Sequence, residues 1–283
     1  MIFNDSIDKL IASAFAEDLG DGDHSSLCCI EPDVQGSAVL KVKQNCRIAG
    51  VDIARKIFEF ADGDAKVVCK LKDGDDVVSG EIAFEVTARI HTILKCERLV
   101  LNTMQRMSGI ATLTAQYVHA IEGHRTQLLD TRKTTPNFRV FEKEAVRIGG
   151  AYNHRMGLYD MIMLKDNHID YCGSIEKAVL KARNYVARVK PGMKIEVEAR
   201  SLEDVHALLQ VGQIDRIMLD NFSVKNIIDA LALIQGKYET EASGGIHLGN
   251  IREYAATGVD FISCGALIHQ AQSIDLSLKA SIH

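Results

Sequence analysis

No apolar stretch in this 283-residue chain approaches the ~20 residues that a membrane span requires. No association with a membrane is expected. Excess positive charge is missing too. The net charge is −5, so no overall cationic field exists to hold a phosphate backbone. That excludes a general nucleic-acid binder, and any anion site has to be built locally. No C-x-x-C pair occurs among the seven cysteines: Cys28 and Cys29 are adjacent and the rest are scattered. This is neither a disulfide framework nor a zinc site, and reduced thiols in the cytoplasm are expected. The first residues, MIFNDSIDKL, lack the basic flank and apolar core of a signal peptide. The acidic loop DLGDGDHSS lacks the EF-hand pattern. Counted from Asp21, Ser26 and Pro32 stand where that pattern needs Gly and Glu. Low-complexity segments and internal repeats are also absent.

What is present is a hydrophobic content of 47%, enough for a sizeable core, in a length that suits a barrel with a smaller partner domain. Ile7, Leu10, Ile11, Ala14 and Phe15 share one helical face, with Ser6 as expected N-cap and Gly20 as stop. From Gly36 the period becomes two. Ala38, Leu40 and Val42 form one apolar face, and Ile82, Phe84, Val86, Ala88 and Ile90 another, with a helix over Val51–Phe60 between them. A further helix is expected from His91 to about Glu122, broken near Ser108-Gly109. The expected domains are 1–108, an α+β sandwich to which the C-terminus returns, and 109–283, a catalytic barrel.

Beyond Gln127 the pattern is strand, loop, helix, repeated, which implies a parallel sheet. Six apolar runs stop at charge or glycine: LLDTRK, MIMLKD, IEVEA, IMLDN, TEASGG and FISCG. A buried parallel strand ending this way marks the rim of a β/α barrel, where strand ends converge on one pocket. A closed eight-fold barrel usually takes about 250 residues, so an incomplete barrel of about seven strands is expected here. Helices are expected near Arg139–Ile148, Ser174–Val186, Leu202–Leu209, Val224–Ile234 and Leu248–Ala256.

The run ends define the chemistry. Thr131, Arg132 and Lys133 follow one strand, and a fork and a point charge there suit carboxylate or phosphate. His154-Arg155 adds a second basic pair. Lys165 ends its own strand as an anion ligand, a Schiff-base nucleophile or the partner of a carboxylate, and residue type does not separate these. Glu198 and Asp220 end two further strands. Facing acids among cations suit Mg²⁺ held partly through water, or an ion-pair network. Ser243-Gly244-Gly245 and Gly265-Ala266 close the last two strands, where glycines let backbone N–H groups approach a phosphate. A substrate with several negative charges is required. A phosphorylated sugar with a pyrophosphate leaving group, joined to an acidic co-substrate, fits.

Several segments strengthen this reading. They are EDLGDGD at Glu17, ERLVLNTMQRMSGIAT at Glu97, DTRKTTP at Asp130, RIGGAYNHRMGL at Arg147, LKDNH at Leu164, EVEA at Glu196, IMLDN at Ile217, EASGGI at Glu241 and GVDFISCGALIH at Gly258. In order and spacing they resemble the quinolinate phosphoribosyltransferase family over nearly the whole chain. The resemblance implies an N-terminal open-faced sandwich and an incomplete α/β barrel. It implies the reaction of quinolinate with phosphoribosyl pyrophosphate to nicotinate mononucleotide, pyrophosphate and CO₂, on the de novo route to NAD. It also implies Mg²⁺ and a homodimer or larger homo-oligomer in which Arg98 reaches the neighbour's quinolinate pocket. By the same resemblance, Arg132, Lys133, His154, Arg155 and Lys165 line the cationic site. Glu198 and Asp220 serve Mg²⁺, pyrophosphate and ribose, and Ser243 to Gly245 with Cys264 to Ala266 hold the 5′-phosphate. The alternative is a related phosphoribosyltransferase with another acceptor, the molybdenum-transport-associated paralogue. Asn137 replaces a usual glycine, and Asn tolerates positive φ, so the turn after Pro136 is expected to survive.

Overall fold

A computed structural model describes residues 2–280, with side chains from residue 7 onward. Its contacts divide the chain into two units that interleave along the sequence. One takes the residues through Ala115, Thr134–Gly150 and those from Ile268 on; the other takes Gln116–Lys133 and Ala151–Leu267.

The first unit opens with helix α1 (Ile2–Leu19), which ends at Gly20 with φ 52°. The helix begins before Ser6, which therefore does not cap it; the Ser6 side chain lies outside the described residues. The acidic loop is occupied by a short helix, α2 (His24–Cys29). The Asp23 carboxylate accepts the Ser26 N–H at 3.1 Å, an N-cap contact. Strands β1 (Gln35–Val42) and β2 (Cys46–Arg47) precede α3 (Val51–Ala61), and β3 (Lys66–Cys69), β4 (Asp76–Val77) and β5 (Ile82–Arg89) follow it. On α3, Val51, Ala54, Ile57 and Phe58 are buried, and Phe58 meets Phe84 of β5 edge-on at 6.0 Å. Ile82 was expected to share the buried face of β5 yet is 38% exposed. The register with β1 slips between Leu40 and Lys41, and this bulge puts Ala83, not Ile82, in the core.

Helix α4 (Ile90–Ala120) runs on without the break expected at Ser108-Gly109. Those small residues serve close packing instead. Ser108 Oγ accepts the Ala49 N–H at 3.0 Å, and a Cβ on Gly109 would collide with the Gln272 carbonyl. The 108/109 boundary thus falls inside one continuous helix. Next come β6 (Gln127–Leu129) and α5 (Arg139–Ile148). Asn137 before α5 has φ 61°, in keeping with its glycine-like role.

The second unit continues with β7 (Ile162–Leu164), α6 (Asp166–Cys172), α7 (Ile175–Val189), β8 (Ile195–Ala199), α8 (Leu202–Val211), β9 (Arg216–Asp220), α9 (Val224–Ile234), β10 (Glu239–Ser243), α10 (Ile251–Ala256), β11 (Phe261–Ser263) and α11 (Ala266–His269). Ser174, Ser201 and Ser223 cap α7, α8 and α9, each accepting a backbone N–H three residues on. Six parallel strands lie in the order β6-β11-β10-β9-β8-β7. A seventh element is a single parallel bridge from Tyr152 to Leu129 of β6. No pairing among the described residues joins it to β7, so the barrel stays open there. The chain closes with β12 (Leu276–Ala280), antiparallel to β1 in the first unit, where the sheet order is β12-β1-β5-β3.

Alternation along the barrel strands separates two faces. Val197, Ala199, Ile217, Leu219, Ala242 and Ile262 are fully buried outward-facing apolar residues. The intervening positions carry Glu196, Glu198, Arg216, Asp220, Glu241 and Ser243, so the barrel interior is charged.

Candidate active site

The charged ends of the barrel strands meet at the rim in pairs. Lys165 and Glu198 end neighbouring strands, with Nζ to Oε2 at 3.2 Å; the Glu198 side chain is 7% exposed and Lys165 48%. Lys165 also caps α6, and its N–H donates to His168 Nδ1 at 3.0 Å. The helix was not anticipated, and it fixes the lysine backbone. Burial raises the pKa of Glu198, and repulsion from Asp220 adds to this against the attraction of Lys165. Two acids with one partly exposed lysine leave an excess of negative charge.

Asp220 is held in turn by Asn221, whose Nδ2 donates to Asp220 Oδ2 at 2.6 Å. Asn221 has φ 56°, and its N–H donates to the Ser243 carbonyl at 2.8 Å. Gly244, at φ 92°, leaves the room the Asn221 amide needs, and a Cβ there would overlap Asn221 Oδ1. Gly245, at φ 64°, faces open space. The Ser243–Gly245 turn and the acid pair are therefore parts of one packed rim. Cys264 is buried, its Sγ 3.3 Å from the Ile246 carbonyl, and burial raises its pKa. Gly265 and the start of α11 follow directly.

Arg132 and Lys133 are exposed, and neither makes an ion pair or side-chain hydrogen bond among the described residues. Thr131 Oγ1 accepts the Lys133 N–H at 3.0 Å and tightens the turn. The Arg155 guanidinium donates to the Met161 carbonyl at 3.0 Å and makes no ion pair with a carboxylate among the described residues. Burial lowers its pKa, and the nearby charge of Arg132 lowers it further. Glu196 and Asp160 act on it in the opposite sense, without an ion pair among the described residues.

His154 is placed differently. It was expected to line this cationic site, but its side chain is 4% exposed and points into the barrel, with Nε2 3.1 Å from Glu196 and 3.2 Å from Glu241. Its N–H donates to the buried Asp130 carboxylate at 2.8 Å, and its Nδ1 accepts the Arg155 N–H at 2.7 Å. Burial opposes a charge on the ring, but the two carboxylates outweigh it and raise the pKa to about 9. The Arg155 amide resists that protonation, because a protonated Nδ1 faces a second donor. Glu196, Glu241 and Arg216 were not singled out from the sequence. The signal was there: Glu196 and Glu198 lie two apart on one strand, and so on one face.

Arg98 lies on α4 in the other unit. Its side chain is 59% exposed and, among the described residues, pairs only with its neighbour Glu97, at 3.0 Å.

An open α/β barrel that carries basic loops and an acid pair at its strand ends has the architecture of an α/β-barrel enzyme. Comparison with known proteins narrows the class. The model described as "Quinolinate phosphoribosyl transferase, N-terminal domain" matches residues 23–108, and that for the C-terminal domain matches 110–279. The chain belongs to the quinolinate phosphoribosyltransferase family. It is 39% identical to a probable nicotinate-nucleotide pyrophosphorylase [carboxylating] of Bacillus subtilis, with 97% of this chain and 93% of that one covered. It is 42% identical to the chloroplastic nicotinate-nucleotide pyrophosphorylase [carboxylating] of Arabidopsis thaliana, covering 95% and 81%. The solved structure of NadC from Streptococcus pyogenes is similar at a TM-score of 0.90 and 40% identity, over 97% of this chain and 96% of that one.

Proposed function

We propose that this protein transfers phosphoribosyl from phosphoribosyl pyrophosphate to quinolinate with loss of CO₂, giving nicotinate mononucleotide and pyrophosphate. The observation that carries this reading is the set of cations without carboxylate partners, Arg132, Lys133 and Arg155, on the same barrel as the Glu198–Asp220 pair. Quinolinate is a dianion and phosphoribosyl pyrophosphate a polyanion, so holding them together is the main electrostatic task. Arg132, Lys133 and Arg155 bind the two carboxylates, and Lys165 supplies a further positive charge. The Ser243–Gly245 turn and the Cys264–Ala266 segment hold the 5′-phosphate through backbone N–H groups. The pyridine nitrogen attacks the ribose carbon as pyrophosphate departs. The quaternised ring then accepts the electron pair of the breaking C–C bond, CO₂ leaves, and a proton takes its place on the ring carbon.

Glu198 and Asp220 are the residues that would hold Mg²⁺, and their mutual repulsion with a single lysine fits a divalent cation. Bound there, the ion supplies charge neutralisation for the pyrophosphate. The active form is a homodimer or larger assembly in which Arg98, exposed and paired with Glu97 alone among the described residues, serves the neighbouring site. Seven unbridged cysteines suit a reducing cytoplasm. No described helix is long and apolar enough to cross a membrane.

The test is release of labelled CO₂ from carboxyl-labelled quinolinate. Release that requires both phosphoribosyl pyrophosphate and Mg²⁺ is expected. Release without the co-substrate, or pyrophosphate formation only with a different acceptor, overturns the reading.

A further inference from the structure

The barrel interior below the rim holds four charged or titratable groups where barrels usually pack branched apolar side chains. Glu196 and Glu241 are both fully buried. Arg216 lies 2.9 Å from Glu241 and 3.1 Å from Glu239, with its guanidinium 3.9 Å from the centre of the Phe261 ring. His154 Nε2 closes the group against Glu196 and Glu241. Desolvating so many charges is costly, and removing one partner from such a cluster is worse than never having built it. The candidate ligand atoms of His154, Glu196 and Glu241 lie within 4.8 Å of one another, close enough for a metal ion. Arg216 already sets a cation against Glu241, at 2.9 Å, so part of the acidic charge is balanced by the protein itself.

What the cluster grips is informative. His154 is fastened at three points. Its ring Nε2 faces the two carboxylates, its N–H goes to Asp130, and its Nδ1 takes the N–H of Arg155. Asp130 directly precedes Thr131-Arg132-Lys133. The imidazole is therefore the junction between the barrel interior and both loops that carry the unpaired guanidinium groups. A ring free to rotate would release the Arg155 amide and, with it, the direction of that side chain.

We propose that Glu241 and Arg216 are positioning residues for the reaction: they lock the His154 ring, and through it the backbone of Arg155, so that the Arg155 guanidinium is presented beside Arg132 to the carboxylates of the acceptor. Arg216 acts on Glu241, Glu241 on the imidazole, and the imidazole on the Arg155 amide. None of the three needs to touch substrate. The proposal rests on the assignment of Arg132 and Arg155 to quinolinate binding.

Steady-state kinetics on the full-length enzyme, with both substrates varied, test it. Glu241→Ala is expected to raise KM for quinolinate by on the order of tenfold or more while KM for phosphoribosyl pyrophosphate moves by less than about twofold. Glu241→Gln is expected to recover part of the loss, because its amide oxygen can face Nε2 as the carboxylate does at 3.2 Å. A purely structural role predicts the reverse: lower thermal stability in both variants, with the two KM values unchanged or raised together in the folded enzyme. That result overturns the proposal. If Glu241→Ala does not fold, the double variant Arg216→Met, Glu241→Gln removes both charges together and is read in the same way. Arg155→Ala separates the two levels. An unchanged quinolinate KM there sinks the underlying assignment. A raised KM in Arg155→Ala with none in the Glu241 variants sinks the positioning role alone.

Discussion

Replacing Gly244 by alanine tests the packed rim at its tightest point. Two separable costs follow from the structure. The first is conformational. At φ 92° an L-residue is strained, by roughly 1–2 kcal/mol. The second is steric. The new Cβ overlaps Asn221 Oδ1 and sits 3.0 Å from the Asn221 backbone nitrogen, so the amide has to leave. Its departure breaks the 2.6 Å hydrogen bond to Asp220, a charge-assisted contact worth about 1.5–3 kcal/mol. Gly245→Ala carries only the first cost, because no atom lies within 4 Å of its Cβ position. Thermal unfolding should therefore show Gly244→Ala less stable than Gly245→Ala by about 1–3 kcal/mol. In an Asn221→Ala background most of that excess should vanish, which a double-mutant cycle measures directly. Steady-state assays of Gly244→Ala should show a weakened response to Mg²⁺, since Asp220 loses the group that orients it. An excess that persists in the Asn221→Ala background, or a Gly244→Ala protein as stable as Gly245→Ala, refutes the reasoning.

Other outcomes follow from the same contacts. Arg132→Ala should lower kcat/KM by about a hundredfold with an unchanged melting temperature, because the side chain is exposed and makes no ion pair among the described residues. Glu196 has its pKa raised to about 7, from the ordinary carboxylate value of 4.5, by burial and secondarily by Glu241. Between those values the folded protein keeps a proton that the unfolded chain has released, so stability falls as pH rises through that window. Glu196→Gln mimics the protonated acid. It should flatten that slope and, at about pH 8, gain up to roughly 3 kcal/mol over the parent in melting experiments. Gly109→Ala should be severely destabilising, because its Cβ meets the Gln272 backbone and not a movable side-chain tip. A soluble Gly109→Ala protein with parental stability contradicts that packing.

Much of the barrel and its rim is legible in the sequence, for a local reason. An apolar run that stops abruptly at Lys165, Glu198 or Asp220 records both a buried strand and an exposed end, and each needs only its own few residues. The Ser-capped helices after these strands are equally local. What escaped depends on distant partners. His154 carries no mark showing that it turns inward, because its direction is set by Glu196 and Glu241, on strands some 40 and 90 positions later. The bulge that exposes Ile82 comes from register with β1, not from composition. Ser108-Gly109 resembles a helix breaker, yet its small size answers to Ala49 and Gln272. Helix α6 is only seven residues long and is hidden in a polar stretch, DNHIDYC, without an apolar period to announce it.

The two faces of the barrel strands have a practical consequence for redesign. In IEVEA, RIMLD and ETEAS, apolar residues on the helix-facing side, with Thr240 the exception, alternate with acids, bases and a hydroxyl on the other, where only Met218 is apolar. Folding instructions and chemical instructions are thus written in alternate letters of the same short words. A library that randomises only the final inward letter of each word, Glu198, Asp220 and Ser243, varies the metal and phosphoribosyl side of the site while the apolar letters that pack the scaffold stay in place. One that reaches a letter deeper, to Glu196 or Glu241, alters the charged cluster around the His154 ring instead of the rim itself.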